Sequence, residues 1–327
     1  MSTRTRLIEL LASGEFRSGQ WLGMQLSISR AAVWKHIRAL TNTGMEVHAV
    51  RGRGYRLAQP IQPLNGELIR QSMSKQAASR LQRFDVLQVT DSTSDYLKRL
   101  DHISDSHTQA QVCIAELQSA GRGRRGRRWV SPYGSNLYLS FSTRVSGARL
   151  ASGGLSLAVA VAVLQALQHC GVPDLGLKWP NDIYFQGRKL AGILLDLSGE
   201  SGGPYQVIAG VGINLRMPES AAKEIDQPWA DLSQSGVKID RNVLAGTIVE
   251  NLFNALDLFN EHGLESFTRE WQRHDLVSGH AVELQHEQQP VISGVARGID
   301  AHGALLVERD GVTQGYHVGE VSLRLAQ

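Results

Sequence analysis

The chain has 327 residues, which at ~150 residues per domain predicts two domains and allows a small third one. Hydrophobic residues make up 42% and charged residues 20% of the sequence, values that exclude disordered, collagen-like and coiled-coil proteins. The longest mainly apolar run, residues 155–167, is shorter than the ~20 residues that span a bilayer. No leader-like apolar segment is present at the start, and Cys113 and Cys170 lie in apolar stretches. We therefore expect a cytoplasmic protein with buried thiols and no membrane span.

The charges are distributed unevenly along the chain. Residues 1–60 contain nine Arg and Lys residues against three acidic ones, a net charge of +6, whereas the remainder of the chain sums to −3. A basic segment joined to a slightly acidic body is typical of a protein that contacts a polyanion with one module only. A solvated basic surface is the alternative, and charge alone does not distinguish the two.

Residues 1–60 have the spacing of a helix-turn-helix. We predict a first helix over residues 5–12, a second over Gly19–Leu26 and a third over residues 30–41, which Ser29 caps. Beyond Gly44, alternating residues and a glycine-rich tip predict a β hairpin over residues 47–56. A hairpin after the third helix is the arrangement of a winged helix-turn-helix.

The third helix has two distinct faces. Val33, Ile37 and Leu40 recur at helical intervals and are expected to face the core. The opposite face and the hairpin tip are then free to contact DNA, through base edges and phosphates respectively. The predicted DNA-binding residues are Arg30, Trp34, Lys35, Arg38, Arg51 and Arg53. A protein-docking role of the winged helix is the alternative.

After Pro60 and Pro63, we predict a linker helix over residues 64–81 that Asn65 caps. From residue 84 the pattern changes to strands and helices of a central domain, and from about residue 274 to short alternating strands. The predicted boundaries are 1–63, 64–83, 84–273 and 274–327. The predicted class is a multidomain α+β protein with an N-terminal winged helix-turn-helix, a central mixed-sheet α/β domain and a small C-terminal SH3-like β barrel.

Individual elements of these two domains are predicted as follows. The central strands are 85–89, 112–117, 137–143, 176–179, 189–197 and 206–213, and the central helices are 155–170 and Arg241–His262. The C-terminal strands are Ala281–Gln285, 291–298 and 304–308. The first of the two helices is apolar almost all round, which indicates that it is buried.

The segment that most strongly suggests a ligand-binding site is residues 121–129, GRGRRGRRW. It contains G-x-G-x-x-G, but it leads into a strand rather than a helix, so we reject a dinucleotide-binding turn. The glycines permit close approach of the backbone to a ligand, and guanidinium groups match carboxylate and phosphate geometry. The loop is therefore expected to bind an anionic ligand; a nonspecific polyanion-binding or nuclear-localisation run is the less favoured alternative.

Four further segments point to the same chemistry. Residues 91–94 place hydroxyls at a helix N-terminus, residues 178–182 (KWPND) leave a strand, residues 189–194 (KLAGIL) enter one, and residues 210–214 end a strand with two glycines and an amide. Metal-ligand spacing, G-x-S-x-G and a P-loop are absent from the sequence. These features favour a polar, anionic small-molecule ligand.

Together these motifs resemble the bifunctional biotin-protein ligases that also act as biotin operon repressors. Residues 121–126 are similar to that family's GRGRRG loop, 178–182 to its KWPND motif and 189–194 to its KLAGIL motif. Residues 29–37 and 52–55 look like the recognition helix and wing of the regulatory members. The resemblance extends over essentially the whole chain, with one departure at Ser94, where the family often has asparagine.

The resemblance implies a two-step reaction. Biotin and MgATP give biotinyl-5′-AMP and pyrophosphate, and a lysine of the biotin carboxyl carrier protein of acetyl-CoA carboxylase then takes the biotinyl group. Because the biotin carboxylate must approach an anionic α-phosphate, cations must stabilise the transferring centre. That role is assigned to Lys189, with Arg122 and Arg124 assisting. Mg²⁺ is expected to arrive on the phosphates, and its protein ligands are unknown.

The remaining site residues are also implied by the resemblance. The implied biotin-binding residues are Ser92, Thr93, Ser94, Gln118, Arg122, Gly123, Arg124 and Lys189. The implied ATP- and adenylate-binding residues are Trp129, Asn181, Asp182, Asn214 and Trp229. Trp229 either stacks on or covers the adenine, or it is a loop aromatic packed on the surface; the sequence does not distinguish these two roles.

The resemblance also implies regulation: a homodimer bound to biotinyl-5′-AMP would bind the biotin operon operator, with the adenylate as corepressor. The implied partners are thus the carrier protein, operator DNA and a second copy of the chain. Two alternatives remain, a lipoate-type protein ligase and a ligand-sensing transcription factor without ligase activity. The intact Lys189 and arginine loop argue against the second.

Overall fold

The computed structural model describes residues 2–42, 44–100, 108–147, 150, 154–199, 205–285, 291–318 and 321–325. Within these ranges, the strands form three sheets of two, seven and five strands. They correspond to the N-terminal hairpin, the central domain and the C-terminal domain. The predicted class, with a helix-turn-helix, a mixed α/β domain and a β domain in this order, is confirmed.

The N-terminal module consists of three helices and a hairpin. Its elements are α1 (Thr3–Leu11), α2 (Gly19–Leu26), α3 (Arg30–Asn42), β1 (Val47–Val50) and β2 (Gly54–Leu57). Ser29 caps α3 as predicted, because its hydroxyl accepts a hydrogen bond from the Ala32 N–H at 3.2 Å. The predicted inner residues Val33, Ile37 and Leu40 are buried. Gly54 has φ +102°, and a Cβ there would lie 2.1 Å from the carbonyl oxygen of Arg17, so the turn requires glycine.

The single linker helix predicted over residues 64–81 is wrong. The structure instead has two short helices, α4 (Gly66–Gln71) and α5 (Lys75–Ser79). Asn65 caps α4 as predicted, whereas the hydroxyl of Ser74 caps α5 by accepting from Ala77 N–H. Serine side chains compete with helical backbone hydrogen bonds, which explains the break. Ile69 and Ala77 are buried in the central core, so the segment is packed against that domain.

The central sheet has the order β3-β4-β5-β9-β8-β7-β6. Its strands are β3 (Leu81–Leu87), β4 (Ala110–Ala115), β5 (Leu137–Val145), β6 (Leu175–Lys178), β7 (Asp182–Phe185), β8 (Arg188–Ser198) and β9 (Tyr205–Ile213). β3 and β4 are parallel and the other pairs are antiparallel, so the sheet is mixed. β7 was not among the predicted strands, because residues 178–182 were interpreted as leaving a strand and four further residues are a short pattern.

Helices cover both faces of the central sheet. They are α6 (Thr93–Lys98), α7 (Leu155–His169), α8 (Glu219–Ala222), α9 (Arg241–His262) and α10 (Glu265–His274), with 3₁₀ turns at Arg124–Gly126 and Leu232–Ser235. Val112 and Ile114 pack with α7 and α9, whereas Cys113 between them packs with Leu97 of α6. Because successive strand residues face opposite sides, α6 and the α7–α9 pair lie on opposite faces.

The α7–α9 layer forms the main core. α7 is buried almost all round as predicted, and α9 packs against it. Phe141 of β5 meets Phe253 of α9 edge to face, with ring centroids 4.9 Å apart. Among the described residues no helix is both long and apolar enough to cross a membrane.

The C-terminal domain is an antiparallel sheet of five strands. The strands are β10 (Ala281–Gln285), β11 (Ile292–Ile299), β12 (Leu305–Arg309), β13 (Val312–Tyr316) and β14 (Ser322–Leu325), in the order β13-β12-β11-β10-β14. The last two strands were not predicted, and the SH3-like barrel stays a prediction. The indole N–H of Trp179 donates to the carbonyl of Gly303 at 3.0 Å and joins this domain to the central one.

The N-terminal module packs directly on the central domain. Tyr133, from the loop before β5, is 7% exposed and lies in the same apolar cluster as Leu7 and Leu11 of α1. Leu117 packs against this cluster from the end of β4. The Ser220 hydroxyl donates to Glu46 at 2.6 Å on the periphery. The core of the N-terminal module is thus completed by residues of the central domain.

Candidate active site

Small residues from three strands lie together on the α6 face of the central sheet, which we call the site face. Ser140 on β5, Gly192 on β8, and Gly210 and Gly212 on β9 occupy this face, since the strand residues between them point into the opposite core. The three glycines let the side chains of Ser94, Lys189 and Trp129 lie close to the sheet backbone. Gly210 cannot carry a side chain without a shift of its neighbour, because a Cβ there would lie 2.7 Å from Ser94 Oγ.

The N-terminus of α6 places three side chains that were predicted to bind biotin next to the site face. Ser92, Thr93 and Ser94 are all buried. Thr93 donates through its N–H to Gln118 Oε1 at 2.9 Å, and its hydroxyl lies 2.7 Å from that of Ser140. The Ser94 hydroxyl lies 2.9 Å from the same Ser140 oxygen. The structure thus brings together four residues predicted for biotin binding.

Sequence analysis did not identify Ser140. Its hydroxyl is fully buried and bridges Thr93 and Ser94. The only sequence signal was a serine in a strand that also contains Ser142 and Thr143, which is equally compatible with a structural role. Ser94, the one departure from the motif resemblance, reaches the Ser140 hydroxyl directly with its short side chain.

The arginine loop is closed at its base. Trp129 N–H donates to the Gly121 carbonyl at 2.9 Å, and Gly123 N–H donates to Arg127 O at 2.7 Å. A Cβ at Gly121 would lie 2.5 Å from the Trp129 carbonyl oxygen, so this closure requires glycine. Arg125 adopts the left-handed conformation, with φ 56°. The two ends of the loop are therefore joined by backbone hydrogen bonds.

The two loop arginines predicted to assist Lys189 have different partners. The Arg122 guanidinium bonds Asp196 of β8 and lies 3.1 Å from Asp95 of α6. Arg124 Nη1 lies 3.5 Å from Asn181 Oδ1, and burial lowers the pKa of Arg124 below its usual value. The structure thus brings Arg124 to the KWPND segment, whereas Arg122 joins the loop to α6 and β8.

Lys189 lies between an acid and an aromatic ring. Its Nζ is 2.9 Å from Asp182 Oδ2 and 5.6 Å from the centroid of Trp129. The Lys189 side chain is only 16% exposed, so solvent screens its charge weakly. A Cβ at Gly192 would lie 3.4 Å from the lysine Nζ, which shows how closely the ammonium follows the sheet. Such a cation can stabilise charge that develops above this face.

The Trp129 ring covers the part of the site face formed by Gly192 and Gly212. A Cβ at Gly212 would lie 2.5 Å from its indole ring, and one at Gly192 would lie 3.1 Å away. Glycine at both positions therefore lets the indole rest on the sheet backbone. The ring forms an apolar wall beside Lys189, which suits the planar base of a nucleotide.

Two predicted amides shape the surroundings of Lys189. Asn181 is buried and donates to the carbonyl of Ile193, and Asn214 Nδ2 donates to Ala230 O at 3.1 Å. The Ala230 N–H donates to Lys189 O at 2.9 Å, and the backbone of Trp229 pairs with that of Lys189. Asn214 thus helps to hold the Trp229 segment against β8, whereas Asn181 bonds β8 itself. Trp229 is half-buried.

The predicted DNA-binding residues are all exposed on the N-terminal module. Trp34 is 50% exposed, and Arg38 stacks over its ring at 5.5 Å. Arg53 at the wing stacks over Phe16 at 4.2 Å, a contact that sequence analysis missed because Phe16 precedes α2. The other members of the predicted set, Arg30, Lys35 and Arg51, are exposed.

Over the part of the chain that the structure describes, no group of three or more His, Cys, Asp or Glu residues could hold a metal ion. The charged groups of the site are mainly cationic, from Arg124, Lys178 and Lys189. Burial lowers the pKa of Lys178, whose ammonium lies 3.3 Å from the Tyr184 hydroxyl. This donor set suits a polyanionic ligand.

Comparison with known proteins identifies the family. A family model for biotin/lipoate A/B protein ligases matches residues 86–214, an HTH domain model matches 3–56, and a model for the biotin protein ligase C-terminal domain matches 277–324. The bifunctional ligase/repressor BirA of Escherichia coli is 42% identical over 322 residues, 98% of this chain and 97% of that protein. The chain belongs to the bifunctional biotin ligase/repressor family.

Further members of the family support this assignment. The bifunctional ligase/repressor BirA of Bacillus subtilis is 34% identical over 322 residues, covering 96% of both chains. The biotin protein ligase from Aquifex aeolicus in complex with biotin and ATP has a TM-score of 0.62 and 29% identity, covering 75% of this chain and 100% of that one. The resemblance inferred from the loop and the KWPND and KLAGIL motifs is confirmed.

Proposed function

We propose that this ligase/repressor activates biotin with ATP and transfers it to a lysine of the biotin carboxyl carrier protein of acetyl-CoA carboxylase. In the first step a biotin carboxylate oxygen attacks the α-phosphorus of MgATP, and pyrophosphate leaves. In the second step the carrier lysine amine attacks the acyl carbon, and AMP leaves. The observation that carries this proposal is Lys189, held by Asp182 beside Trp129 on the sheet face that α6 covers.

The side chains at the site face offer suitable hydrogen-bonding groups for biotin. The ureido ring of biotin carries both N–H donors and a carbonyl acceptor, and the hydroxyls of Ser92, Thr93 and Ser94 both donate and accept. The Gln118 amide lies at the same place, with its Oε1 engaged by Thr93 and its Nε2 3.1 Å from the Ser131 hydroxyl. We assign the ring to these groups and the carboxylate to the end nearest Lys189.

Lys189 and the arginine loop supply the electrostatic part of catalysis. Bringing a carboxylate to a phosphate costs repulsion, and pre-oriented cations offset it without reorganisation at the moment of reaction. The Asp182 carboxylate orients the Lys189 ammonium. Arg124, which lies against Asn181, is the loop residue best placed to assist. Mg²⁺ enters as part of the MgATP substrate, on the phosphates.

The N-terminal module supports the repressor function. Its exposed basic α3 face and wing are suited to base edges and phosphates respectively. We propose that the operator of the biotin operon is bound by a homodimer, because one winged helix contacts only a short stretch of groove. Biotinyl-5′-AMP serves as corepressor by ordering the arginine loop before the partner binds. We propose the cytoplasm as its location.

The proposed domain boundaries after residues 63, 83 and 273 are compatible with the three matched segments. Residues 64–83 lie between the first two segments, and α4 and α5 pack on α9. This segment therefore joins the modules while contributing to the central core.

One assay tests the enzymatic proposal against its alternatives. The full chain is incubated with MgATP, the carrier domain, and either biotin or lipoate, and the modified carrier is measured. Biotin-dependent modification is the expected result. Modification with lipoate alone would indicate a lipoate-type ligase. No modification, with operator binding that still responds to biotin, would indicate a sensor without ligase activity.

A further inference from the structure

Four charged side chains form a cluster between the arginine loop and α6. The Arg122 guanidinium lies 3.1 Å from Asp95 Oδ1 and bonds Asp196 Oδ2, while Lys98 Nζ lies 2.9 Å from that Asp196 oxygen. Two positive and two negative charges make the cluster neutral. Its members come from the loop, the helix and strand β8, which are separate in sequence.

The cluster joins two walls of the proposed biotin site. Asp95 lies in the first turn of α6, and its N–H donates to the hydroxyl of the N-cap residue Ser92 at 3.4 Å. Arg122 directly follows Gly121, at which the loop is closed by Trp129. The Arg122–Asp95 pair thus connects the loop base to the helix end that carries the site hydroxyls.

Asp196 completes this connection from the sheet. It lies on β8 with its Cα opposite Ile208 of β9, on the face that α6 covers. Its side chain is 20% exposed, and that of Arg122 is 34% exposed, so both are partly shielded. Pairs of this kind contribute modestly to stability and weaken as salt is added.

The loop itself needs such anchoring. Glycines at positions 121, 123 and 126 increase the number of backbone conformations that must be lost when the loop becomes ordered. A ligand that orders a mobile loop binds more weakly by that cost, and a loop that is already held binds more tightly. The charge cluster is placed to supply this order at the loop base.

We propose that Asp95 and Asp196 are positioning residues for biotin, which act through Arg122 to hold the base of the arginine loop against α6, so that ligand binding has to order only the rest of the loop. The inference rests on the proposed ligase function. Neither carboxylate is assigned a contact with substrate. Their effect is therefore expected in the KM for biotin and not in kcat.

The test measures pyrophosphate release from MgATP and biotin by the full chain. Asp95→Asn and Asp196→Asn should each raise the KM for biotin about two- to fivefold, and together about tenfold, with kcat within about twofold of wild type. The wild-type KM should also rise with salt, and the double variant should lose most of that dependence. Asp95→Glu, which keeps the charge, should restore part of the affinity.

Asp85→Asn is the matched control. Asp85 pairs with Arg83 and contacts Tyr96 of α6, with a similar exposure and no bond to the loop. Its KM for biotin should equal that of the wild type. In an Arg122→Gln background, removal of the two carboxylates should have no further effect, because they act through that arginine.

Two results would overturn the positioning role: an unchanged KM for biotin in the double carboxylate variant, or a fall in kcat alone. Trypsin provides an independent readout, since the loop holds five arginines and the double variant should be cleaved there faster than the wild type without biotin. If the wild-type chain forms no biotinyl-AMP, the proposed function fails, and the cleavage rates still decide whether the carboxylates hold the loop.

Discussion

Arg241 and Glu116 form a buried ion pair, with Arg241 Nη2 2.9 Å from Glu116 Oε2 and side chains that are 6% and 1% exposed. Glu116 also accepts from the Leu64 N–H at 2.6 Å, and Arg241 donates to the carbonyls of Gln62 and Asn136. The pair therefore fixes the segment that leaves the N-terminal module. Glu116 lies two residues before Gln118, so the same pair anchors the strand end that carries a proposed biotin residue.

Arg241→Met should lower the free energy of unfolding by ~3–5 kcal/mol, because it leaves the Glu116 carboxylate buried without its charge partner. Urea unfolding followed by circular dichroism measures the change. Arg297→Met is the matched control, since its pair with Glu308 is about half exposed and should contribute less than ~1 kcal/mol. The double variant Glu116→Met with Arg241→Met should recover part of the loss, and a double loss equal to the two single losses combined would contradict this explanation.

Lys189→Ala should slow biotinyl-AMP formation about 10²- to 10³-fold, which corresponds to the ~2.7–4 kcal/mol typical of a lost pre-oriented donor. Single-turnover pyrophosphate release measures this step without the transfer to the carrier. Lys75→Ala, an exposed lysine on α5, is the control and should behave as wild type. Parental rates in Lys189→Ala would remove this lysine from the mechanism.

Gly212→Ala should raise the KM for ATP, because the added methyl would lie 2.5 Å from the Trp129 indole and displace it. Isothermal titration with ATP and steady-state kinetics measure the effect. Trp129→Phe in the same chain removes the atoms nearest the methyl and should relieve part of the clash. An ATP affinity that is equal in wild type and Gly212→Ala would show that the indole does not form the nucleotide wall.

Arg53→Ala should weaken DNA binding about equally on all sequences and reduce the slope of log affinity against log salt by ~1, as expected for one lost phosphate contact. Lys35→Ala, on the exposed face of α3, should instead change the preference between operator and scrambled DNA. Fluorescence anisotropy at several salt concentrations separates the two effects. Carrier biotinylation should be unchanged in both variants. Loss of discrimination alone in Arg53→Ala would indicate that the wing contacts bases.

Biotin plus ATP should shift the chain from monomer toward dimer and tighten operator binding, if the adenylate orders the dimer surface as proposed. Sedimentation velocity with and without the two ligands measures the first effect, and operator titration measures the second. Biotin without ATP is the control for simple ligand binding. Equal sedimentation and operator affinity in all three conditions would rule out the coupling and leave the ligase activity intact.

Sequence analysis located the elements whose pattern persists over many residues. The predicted bounds of α9 are those observed, because a long apolar stripe ends at Gly263. α10 was missed because only Phe267 and Trp271 of its ten residues are buried, too short a pattern to distinguish from a loop. The break between α4 and α5 was missed because Ser72 and Ser74 were not recognised as the residues that end one helix and cap the next.

The site was predictable to a similar extent. Motif residues such as Lys189 and Asn181 were identified from the resemblance, and the structure places them together. Ser140 and Asp196 were not identified, since their importance arises only from contacts across elements. Arg122 and Asp196, for example, are 74 positions apart, and no local pattern relates a loop arginine to an aspartate near the end of a strand.

The position of Tyr133 bears on how such a two-function chain can be divided. Because this ligase-domain side chain completes the apolar cluster around Leu7 and Leu11, a fragment that ends near residue 60 would expose the surface that Tyr133 covers. The apolar core of the DNA-binding module therefore depends on a side chain of the central domain. A fragment of this kind is expected to be less stable than the same module within the full chain, because apolar side chains that Tyr133 buries would be exposed to water.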